Sequence, residues 1–442
     1  MSPTLYRTIY IAGSRLRGTP VMPRLRALLE SQWLPAESMR LLQLERLNSL
    51  LEHAASRSPF YRRIFGEHGL DLPIDSISDL EKLPAVDKRA MRRNEAEIRN
   101  GGRGGRLIKS STSGTSGEPL EFYRDAGWDA GHRAAIARGY SWYGVDPWSR
   151  RGLLWGIRRG IGGRVASRAG DILQNRFRGK RFDLSEDTLE DFRRRLAGAE
   201  LLEGYSSMIY ELARHIDRRG EGRIPLKLVK GTSEKIFPHY HEESRKAFGR
   251  PVTSEYGAAE TGIIAFECPE GSMHVNMDHV IVEEAEGEII VTNLISYSFP
   301  FIRYRLGDSV KIDFEASCPC GRETPVIREI TGRIGGKIVG ISGKEYPSLV
   351  IYYIIKALHA EGRGIVRMQA AQREAGALEF LAVLEGGLPP GELEKIFDEL
   401  VEEYFGDDID ARLIGVDSIP PSGGKRVDFV PLIELPGSGR QS

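Results

Sequence analysis

Hydrophobic positions recur along this chain with helical spacing in some segments and strand spacing in others. Residues 40–57 carry leucines on one helical face, at positions 41, 44, 47 and 51. The segments SPFYRRIF and DLEKLP predict short helices joined by proline-marked turns, and residues 127–145 predict a longer helix. Short apolar runs bounded by glycines and charged residues predict strands at PLKLVKG, HVIVEE and GEIIVTNL. The pattern therefore predicts both element types in one chain.

A change of composition divides the chain around Gly332. There the segment EITGRIGGKIVGISGKEYPS is rich in Gly and Lys and indicates a joint. Beyond it the pattern predicts a strand, a helix and a strand, over 378–385, 390–405 and 411–416. This compact α+β arrangement indicates a separate lid domain. We therefore predict an α/β protein with a large N-terminal domain, 1–333, in which helices flank β-sheets, and a small mobile C-terminal domain, 334–442.

Composition excludes several classes of protein. The 62 basic residues equal the 62 acidic ones among 442, so net charge favours neither nucleic acid nor an anionic membrane as a partner. No apolar run reaches the length of a membrane span, and the N-terminus lacks a clean signal-peptide core. Three cysteines make a disulfide framework unexpected. We expect a soluble protein of the reducing cytoplasm, and leave open whether it is a monomer or a homodimer.

Two segments have unusual composition. Residues 150–181 are strongly basic, which favours a solvated basic surface over an anion-binding patch. The segment SSTSGTSGEPLEF, residues 110–122, places six hydroxyl side chains around glycines. Such a segment is either an exposed turn or a loop whose N–H and hydroxyl groups bind phosphate. A Walker-type loop is excluded, because none of the four Gly-Lys pairs has a glycine five positions before it.

Three further motifs carry candidate chemistry, and each also fits an ordinary turn. In SEYGAAETG, Tyr256 offers a ring for stacking on a base, and Glu260 offers a hard oxygen ligand for Mg²⁺. In FIRYRLGDSV, Asp308 stands at a strand end, where a carboxylate can bind two ribose hydroxyls. In IPPSGGKRVDF, Lys425 lies in a glycine-flanked loop. No single motif decides the function.

The order and separation of these motifs resemble the adenylate-forming superfamily of acyl-CoA synthetases, and within it the phenylacetate–CoA ligase-like branch. The segments LLEHAASRSPFYRRIF and SISDLEKLPAVDK are similar to the opening helices of that branch, and the resemblance spans residues 40–430. It implies that ATP activates a small-molecule carboxylic acid to an acyl-adenylate with release of pyrophosphate. Acyl transfer to CoA or another acceptor would follow. Similarity to capsule-biosynthesis members of the branch also implies a role in surface-polysaccharide assembly.

The resemblance assigns roles to individual residues. It places the β- and γ-phosphates of ATP against Thr112, Ser113, Gly114, Thr115 and Gly117, and counts Thr115 as catalytic. It places adenine against Gly231, Thr232, Glu234, Tyr256 and Gly257. It implies that Asp308 holds the ribose hydroxyls, with Arg333 close by.

The implied reaction brings a carboxylate against an α-phosphate, so cations must neutralise the developing charge. The resemblance assigns this task to Mg²⁺ on Glu260 and to the ammonium of Lys425. Two departures from the family pattern are present. Ala259 stands where Ser or Thr is usual, and Gly335 with Gly336 replaces a pair of acids after Gly-Arg. Both departures are compatible with adenylation but weaken the case for the rotation that precedes thioester formation, although the glycine pair also suits a hinge.

All the cysteines lie in two short segments about fifty residues apart. CPEGSMH and CPCGR contain the four candidate ligands Cys268, His274, Cys318 and Cys320. Such a set predicts a closed, structural Zn²⁺ site. The alternative is three unrelated buried thiols and an exposed histidine.

Three readings of the function stay open. Beside the ligase, the motifs fit a nucleotidyl transferase that leaves AMP on its product, or a nucleotide-binding scaffold without activity. Retention of both Lys425 and Glu260 argues against the scaffold. The candidates for an apolar acyl pocket are Tyr205, Trp142 and Trp128.

Overall fold

The structure is a computed structural model that describes residues 2–104, 106–112, 120–154, 169–179, 185–220, 222–234, 236–285, 287–333, 337–360, 365–384, 390–419 and 429–430. Helices and strands within these ranges confirm the predicted α/β class. The helices are α1 (Pro3–Leu16), α2 (Val21–Ser31), α3 (Ala36–Arg57), α4 (Pro59–Glu67), α5 (Lys88–Arg93), α6 (Glu95–Ile98), α7 (Ala126–Ser141), α8 (Glu186–Leu196), α9 (Ser206–Arg219), α10 (Pro238–Phe248), α11 (Leu349–Ala360) and α12 (Pro390–Phe405).

The strands form one large sheet and three smaller ones. They are β1 (Ile108–Ser111), β2 (Glu121–Arg124), β3 (Arg151–Leu154), β4 (Arg176–Arg178), β5 (Leu201–Tyr205), β6 (Leu228–Thr232), β7 (Thr253–Ala258), β8 (Gly262–Glu267), β9 (Met273–Val275), β10 (Val280–Ala285), β11 (Glu288–Asn293), β12 (Tyr304–Asp313), β13 (Val326–Arg333), β14 (Lys337–Val339), β15 (Glu345–Pro347), β16 (Ile365–Glu374), β17 (Ala377–Leu384), β18 (Asp410–Gly415) and β19 (Phe429–Val430).

The large sheet has the strand order β10-β11-β12-β13-β9-β8-β7-β6-β5-β3-β4. From β4 to β7 the neighbouring strands are parallel. From β7 to β10 they are antiparallel. Parallel strands need crossover connections, and α8, α9 and α10 supply them between β4 and β7. Strand β7 therefore joins two halves of different topology.

The C-terminal elements form a sheet of their own, in the order β18-β17-β16-β19. Helix α12 covers the predicted range 390–405, and β17 and β18 correspond to the other two predicted segments. The buried apolar residues of α11, β16, β17 and α12 belong to the same core cluster as those of α8, α9 and α10. This cluster packs the small sheet against the parallel half of the large one.

Local sequence explains where the helices begin and end. The carboxylate of Asp125 accepts a hydrogen bond from the amide of Trp128 at 2.8 Å and starts α7. Ser58 ends α3 and caps α4, which has Pro59 at its first position. The DLEKLP segment forms a 3₁₀ helix, Ile77–Lys82. None of the helices in the described ranges is long and apolar enough to cross a bilayer.

A buried carboxylate fixes three helices to the antiparallel half of the sheet. Asp278 lies in the turn between β9 and β10 and forms an ion pair with Arg138 of α7 at 2.8 Å. The same carboxylate accepts a hydrogen bond from Ser31 of α2 at 2.7 Å and lies 3.3 Å from Arg46 of α3. Burial alone would raise the pKa of Asp278, but Arg138 and its neighbours outweigh burial and lower it. The ionised form is therefore the one that holds the helices.

We expect Asp278→Ala to lower the free energy of unfolding by about 3–5 kcal/mol, because Arg138 would stay buried without a counter-charge. The folded-state pKa of Asp278 is depressed, so its stabilisation is present above the pKa of the unfolded chain and is lost as the pH falls through the folded value. Urea titrations at neutral and acidic pH measure both effects. The control is Asp410→Ala, which removes an exposed pair with Arg412 and should cost less than about 1 kcal/mol. An equal loss of unfolding free energy in the two variants would contradict the structural role of Asp278.

Candidate active site and metal centre

A cavity of about 1070 Å³ opens where the parallel strands end and the antiparallel half begins. The carboxyl ends of parallel strands are where α/β sheets commonly bind ligands. Three groups of elements line the cavity: the β1–β2 hairpin, the turn between β7 and β8, and β12. Its remaining wall comes from α1, α5, α7, the strands β3 to β7 and the start of β11. The volume suffices for a nucleotide and a second small molecule together.

The two ends of the hydroxyl-rich segment are joined by hydrogen bonds beside this cavity. The Thr112 amide donates a hydrogen bond to the Leu120 carbonyl at 3.0 Å, and the Leu120 amide donates one to the Thr112 hydroxyl at 2.9 Å. Thr112 is buried and lines the cavity together with Ser111. The other predicted phosphate-loop residues lie outside the described ranges: Ser113, Gly114, Thr115 and Gly117. The structure thus places the base of the predicted loop at the cavity.

Tyr256 and Asp308 form a hydrogen-bonded pair beside the cavity. The Tyr256 hydroxyl donates a hydrogen bond to the Asp308 carboxylate at 2.8 Å. Asp308 lines the cavity, whereas Tyr256 is buried in the core cluster of the antiparallel half. Asp308 lies within β12 and not at the strand end that the sequence predicted, and it is opposite Arg333 in the register of β12 and β13. Residues separated by about fifty positions in sequence therefore form one pair, which combines a flat ring with a carboxylate.

Glu260 occupies the turn between β7 and β8 and is 7% exposed. Its carboxylate lines the cavity and accepts a hydrogen bond from the Tyr304 hydroxyl at 3.1 Å. The turn is tight because Gly257 approaches the backbone of Gly262, where any Cβ would collide with the carbonyl oxygen. Carboxylate oxygens are the ligands that Mg²⁺ prefers. The position and chemistry of Glu260 fit a magnesium ligand.

The segment after β6 reaches the cavity only in part. Thr232 and Ser233 line it, and Ser233 has a φ of 65°, which is uncommon for a residue with a side chain. The Glu234 carboxylate instead accepts a hydrogen bond from the Ser207 amide at 3.0 Å, at the start of α9. Gly231 packs against the Ser206 hydroxyl, where a Cβ would have no room. Of the residues assigned to adenine here, only Thr232 is therefore on the cavity wall.

The basic segment 150–181 does not simply form a solvated surface, as its charge favoured. Arg151 of β3 and both Arg176 and Arg178 of β4 line the cavity. They lie there because the parallel strands β3 and β4 are the edge of the sheet beside the cavity. The expectation is wrong for these three side chains.

A buried charged network next to these arginines was missed by sequence reasoning. Lys230 forms ion pairs with Glu203 at 3.2 Å and Glu255 at 2.9 Å. Burial alone would raise the pKa of Glu203, but Lys230, Arg151 and a hydrogen bond from Tyr140 lower it to about 2. The available signal was a charged residue inside each of two apolar parallel strands, LLEGY and LVKGT, where strands buried on both faces are usually apolar throughout.

The three aromatic residues expected in an acyl pocket lie elsewhere. Trp128 is fully buried in the core and stacks on Phe122. Trp142 donates a hydrogen bond to Gln32 at 2.7 Å, and Tyr205 packs in the main core cluster. None of the three lines the cavity, so this expectation is wrong. Smaller side chains contribute to the apolar part of the wall, among them Ile136, Ala137, Leu153 and Ile263.

The predicted metal ligands converge at one point. Cys268, His274, Cys318 and Cys320 place their ligand atoms within 4.8 Å of one another. The sulfurs of Cys268 and Cys318 are 3.8 Å apart, which equals the edge of about 3.8 Å of a tetrahedron with Zn–S bonds of about 2.3 Å. His274 Nε2 lies 3.2 Å from the Cys320 sulfur, and its Nδ1 lies 3.0 Å from the Thr324 hydroxyl. Because the Thr324 hydroxyl holds Nδ1, the imidazole is oriented with Nε2 toward the position of a metal ion.

Strand pairing explains this convergence. Cys268 follows β8, and His274 belongs to β9, which pairs with β8 and with β13. The amide of Gly271 donates to the Cys268 carbonyl, and that of Gly321 donates to the Cys318 carbonyl, so each cysteine opens a tight turn. Burial raises the pKa of the Cys268 thiol to about 12 and lowers that of His274 to about 4. The donor set, two turns and an oriented imidazole fit a structural zinc ion.

Comparison with known proteins supports the resemblance seen in the sequence. The chain is 23% identical to Protein CapK of Staphylococcus aureus over 406 residues, covering 87% of this chain and 88% of CapK. It is 24% identical to the phenylacetate-coenzyme A ligase of Thermus thermophilus over 413 residues, covering 86% and 87%. No family model matches the chain.

A solved structure with the same fold is 2-hydroxyisobutyryl-CoA ligase. In its postadenylation state, in complex with 2-HIB-AMP, that enzyme superposes with a TM-score of 0.70 at 18% identity, covering 91% of both chains. In its thioesterification state, with 2-HIB-AMP and CoA, the TM-score is 0.57 at 20% identity, covering 91% of this chain and 92% of that one. The fold is therefore that of adenylate-forming enzymes.

We expect Asp308→Ala to weaken ATP binding by about 1.5–3 kcal/mol, the scale of a hydrogen bond to a charged group. Asp308 would bind the ribose hydroxyls directly, whereas Tyr256→Phe keeps the flat ring and should cost less. Calorimetric titration with ATP measures both variants. The control is Asp313→Ala on the same strand, whose partner is the partly exposed Arg328, and it should bind ATP as the wild type does. If a folded Asp308→Ala variant binds ATP with unchanged affinity, Asp308 does not bind the ribose.

Proposed function

Because this chain belongs to the adenylate-forming superfamily, in its phenylacetate–CoA ligase-like branch, we propose that it activates a carboxylic acid with ATP and transfers the acyl group to CoA. The observation that carries the proposal is the convergence of three motifs on one cavity. These are Thr112 at the β1–β2 hairpin, Asp308 with its partner Tyr256, and the Glu260 turn.

The described residues suggest how ATP is held. Asp308 would offer its carboxylate to the ribose hydroxyls, and the ring of Tyr256 would stack on the base. The hydroxyl-rich loop, whose base at Thr112 lines the cavity, would bind the β- and γ-phosphates. Glu260 would hold Mg²⁺, which when bound neutralises part of the charge of the phosphates. Tyr304, by donating to Glu260 at 3.1 Å, keeps that carboxylate in position.

The C-terminal region, from residue 334 onward, would act as a lid that carries Lys425. Lys425 lies outside the described residues, and the chain on either side of its loop is anchored on β16: Arg367 donates to the Ile419 carbonyl, and Phe429 pairs with Ala370. A lysine so anchored would bridge the substrate carboxylate and the α-phosphate. After adenylation the lid would rotate at Gly335–Gly336 and admit CoA.

Pyrophosphate release tests the reaction type. We expect release with ATP and a panel of carboxylic acids, and formation of a thioester only when CoA is added. A nucleotidyl transferase would leave AMP on its product in the absence and presence of CoA, and a scaffold would release no pyrophosphate with any acid. A surface-polysaccharide role, suggested by the similarity to CapK, would be supported if the acid that reacts is a sugar acid or another cell-surface component.

We expect Lys425→Ala to reduce ATP–pyrophosphate exchange by about a hundredfold or more while ATP affinity stays within a few-fold. The ammonium would act on charge that develops in the transition state, so its loss affects the rate and not the binding of ATP. Exchange kinetics and calorimetry separate the two quantities. Lys395→Ala, which removes an exposed lysine of α12, is the matched control. Exchange that survives within a few-fold would show that Lys425 has a different role.

We further propose that Cys268, His274, Cys318 and Cys320 bind one structural zinc ion per chain. The four ligands leave no open coordination position, so the metal would pin β8 to the loop before β13. Strand β8 also bounds the Glu260 turn. The ion would therefore support the active site without taking part in the reaction.

Elemental analysis of protein purified without added metal should find about one equivalent of zinc. Because thiolates are the ligands, zinc affinity should fall as the pH is lowered, and a strong chelator should lower the melting temperature. Cys318→Ser should lose zinc and melt earlier, whereas Ser317→Ala in the same loop should do neither. A zinc content below about a tenth of an equivalent, with an unchanged melting temperature for Cys318→Ser, would show that the cysteines do not bind zinc and serve only as packing residues.

A further inference from the structure

One part of the cavity wall is rich in positive charge. It is formed by α7, by the parallel strands β3 and β4, and by the end of β2. The guanidinium groups that line it belong to Arg124, Arg133, Arg151, Arg176 and Arg178. We call this set the arginine wall. Apart from the β1–β2 hairpin, which also carries Arg124, the candidate nucleotide residues come from other elements, namely the β7–β8 turn and β12.

We propose that the acid activated by this protein carries a second anionic group, which binds at the arginine wall while the reacting carboxylate faces the nucleotide. The inference rests on the proposed function and adds the class of substrate. The second group is a carboxylate, phosphate or sulfate. Planar guanidinium groups bind each of these through paired hydrogen bonds.

The arginine wall lacks enough carboxylates of its own. Asp129 is engaged by Arg133 at 2.7 Å. Asp171 is shared by two arginines, Arg176 at 2.6 Å and Arg178 at 2.9 Å. One carboxylate between two guanidinium groups leaves a positive charge uncompensated. An anion entering the cavity would meet that charge.

The remaining two arginines form no ion pair with a carboxylate of the described residues. Arg124 donates to the Ser110 hydroxyl at 2.8 Å, and burial lowers the pKa of its guanidinium. The backbone amide of Arg151 donates to the Asn175 carbonyl, but the Nε of its side chain is buried without an acceptor. Arg151 lowers the pKa of Glu203, which also pairs with Lys230 and Tyr140. A buried donor without an acceptor is destabilising, so the Arg151 side chain has a donor left for an anion in the cavity.

Uncharged donors and apolar groups complete the wall. Tyr10 of α1 lines the cavity, and burial raises the pKa of its phenol, so it stays a neutral hydrogen-bond donor. Ile136, Ala137 and Leu153 form an apolar surface in the same cavity. An acid with a short apolar body between two anionic ends matches this sequence of polar, apolar and basic surfaces.

The test compares acids that differ only in the second anionic group. ATP–pyrophosphate exchange is measured with straight-chain monocarboxylates, with dicarboxylates of matched length, and with hydroxy acids that carry a phosphate or a sulfate. We expect at least one doubly anionic acid to exceed its singly charged counterpart by about tenfold to a hundredfold in kcat/KM. Comparison of the acids that carry a phosphate, a sulfate or a second carboxylate identifies the preferred anionic group.

Variants then assign the preference to the arginine wall. Arg151→Met should remove most of the preference by raising KM for the doubly anionic acid, with KM for ATP and CoA unchanged. Arg151→Lys should restore part of it. The control is Arg150→Met, whose exposed guanidinium contacts the Arg195 carbonyl, and it should keep the preference. Melting temperatures show whether each variant is folded, and Arg178→Met replaces Arg151→Met if the latter does not fold.

The outcomes distinguish this inference from the proposed function. Exchange with monocarboxylates as fast as with their doubly anionic counterparts would overturn the inference and leave the ligase intact. A rise in KM for ATP or for CoA, but not for the acid, would show that the arginines bind phosphates of those molecules, and would also overturn it. No exchange with any acid would contradict both proposals.

Discussion

The position of α7 depends on the buried ion pair between Arg138 and Asp278, and the candidate site depends on the position of α7. Asp278 also holds α2 through Ser31 and α3 through Arg46. Removing two charges from water is costly, so such a pair is stable only when its geometry is well satisfied. The charges thus select one arrangement of helices on the sheet. That arrangement brings one face of α7, including Tyr140, to the cavity.

The second constraint is the change from parallel to antiparallel pairing at β7. Parallel strands end together at one edge of the sheet, and the β7–β8 hairpin turns back across that edge. Glu260 stands in the turn of the hairpin, and Asp308 approaches from β12. Strands and turns therefore both supply polar groups to the cavity: Lys230 and Asp308 lie on strands, and Glu260 lies in a turn.

Charge within the cavity is distributed unevenly. Lys230 faces two carboxylates, Glu203 and Glu255, so this buried cluster has one negative charge in excess, and Arg151 is near enough to lower the pKa of Glu203. At the arginine wall the excess is positive, because Asp171 serves two arginines and Arg124 donates to a hydroxyl group. An excess of positive charge is stabilised by a ligand of opposite charge, and this is the part of the cavity that we assign to substrate.

The sequence by itself determined the features that arise from neighbouring residues. Helix α12 over 390–405, the Glu260 turn and the paired cysteine turns follow from local spacing and turn chemistry. Family resemblance added the roles of Asp308 and Lys425. Tertiary structure alone decided which charged and aromatic side chains face the cavity: it put Arg151 inside and Trp128 in the core. The physical reason is that burial and charge balance depend on all neighbours in space. For Arg151 those neighbours come from strands and helices far apart in the chain.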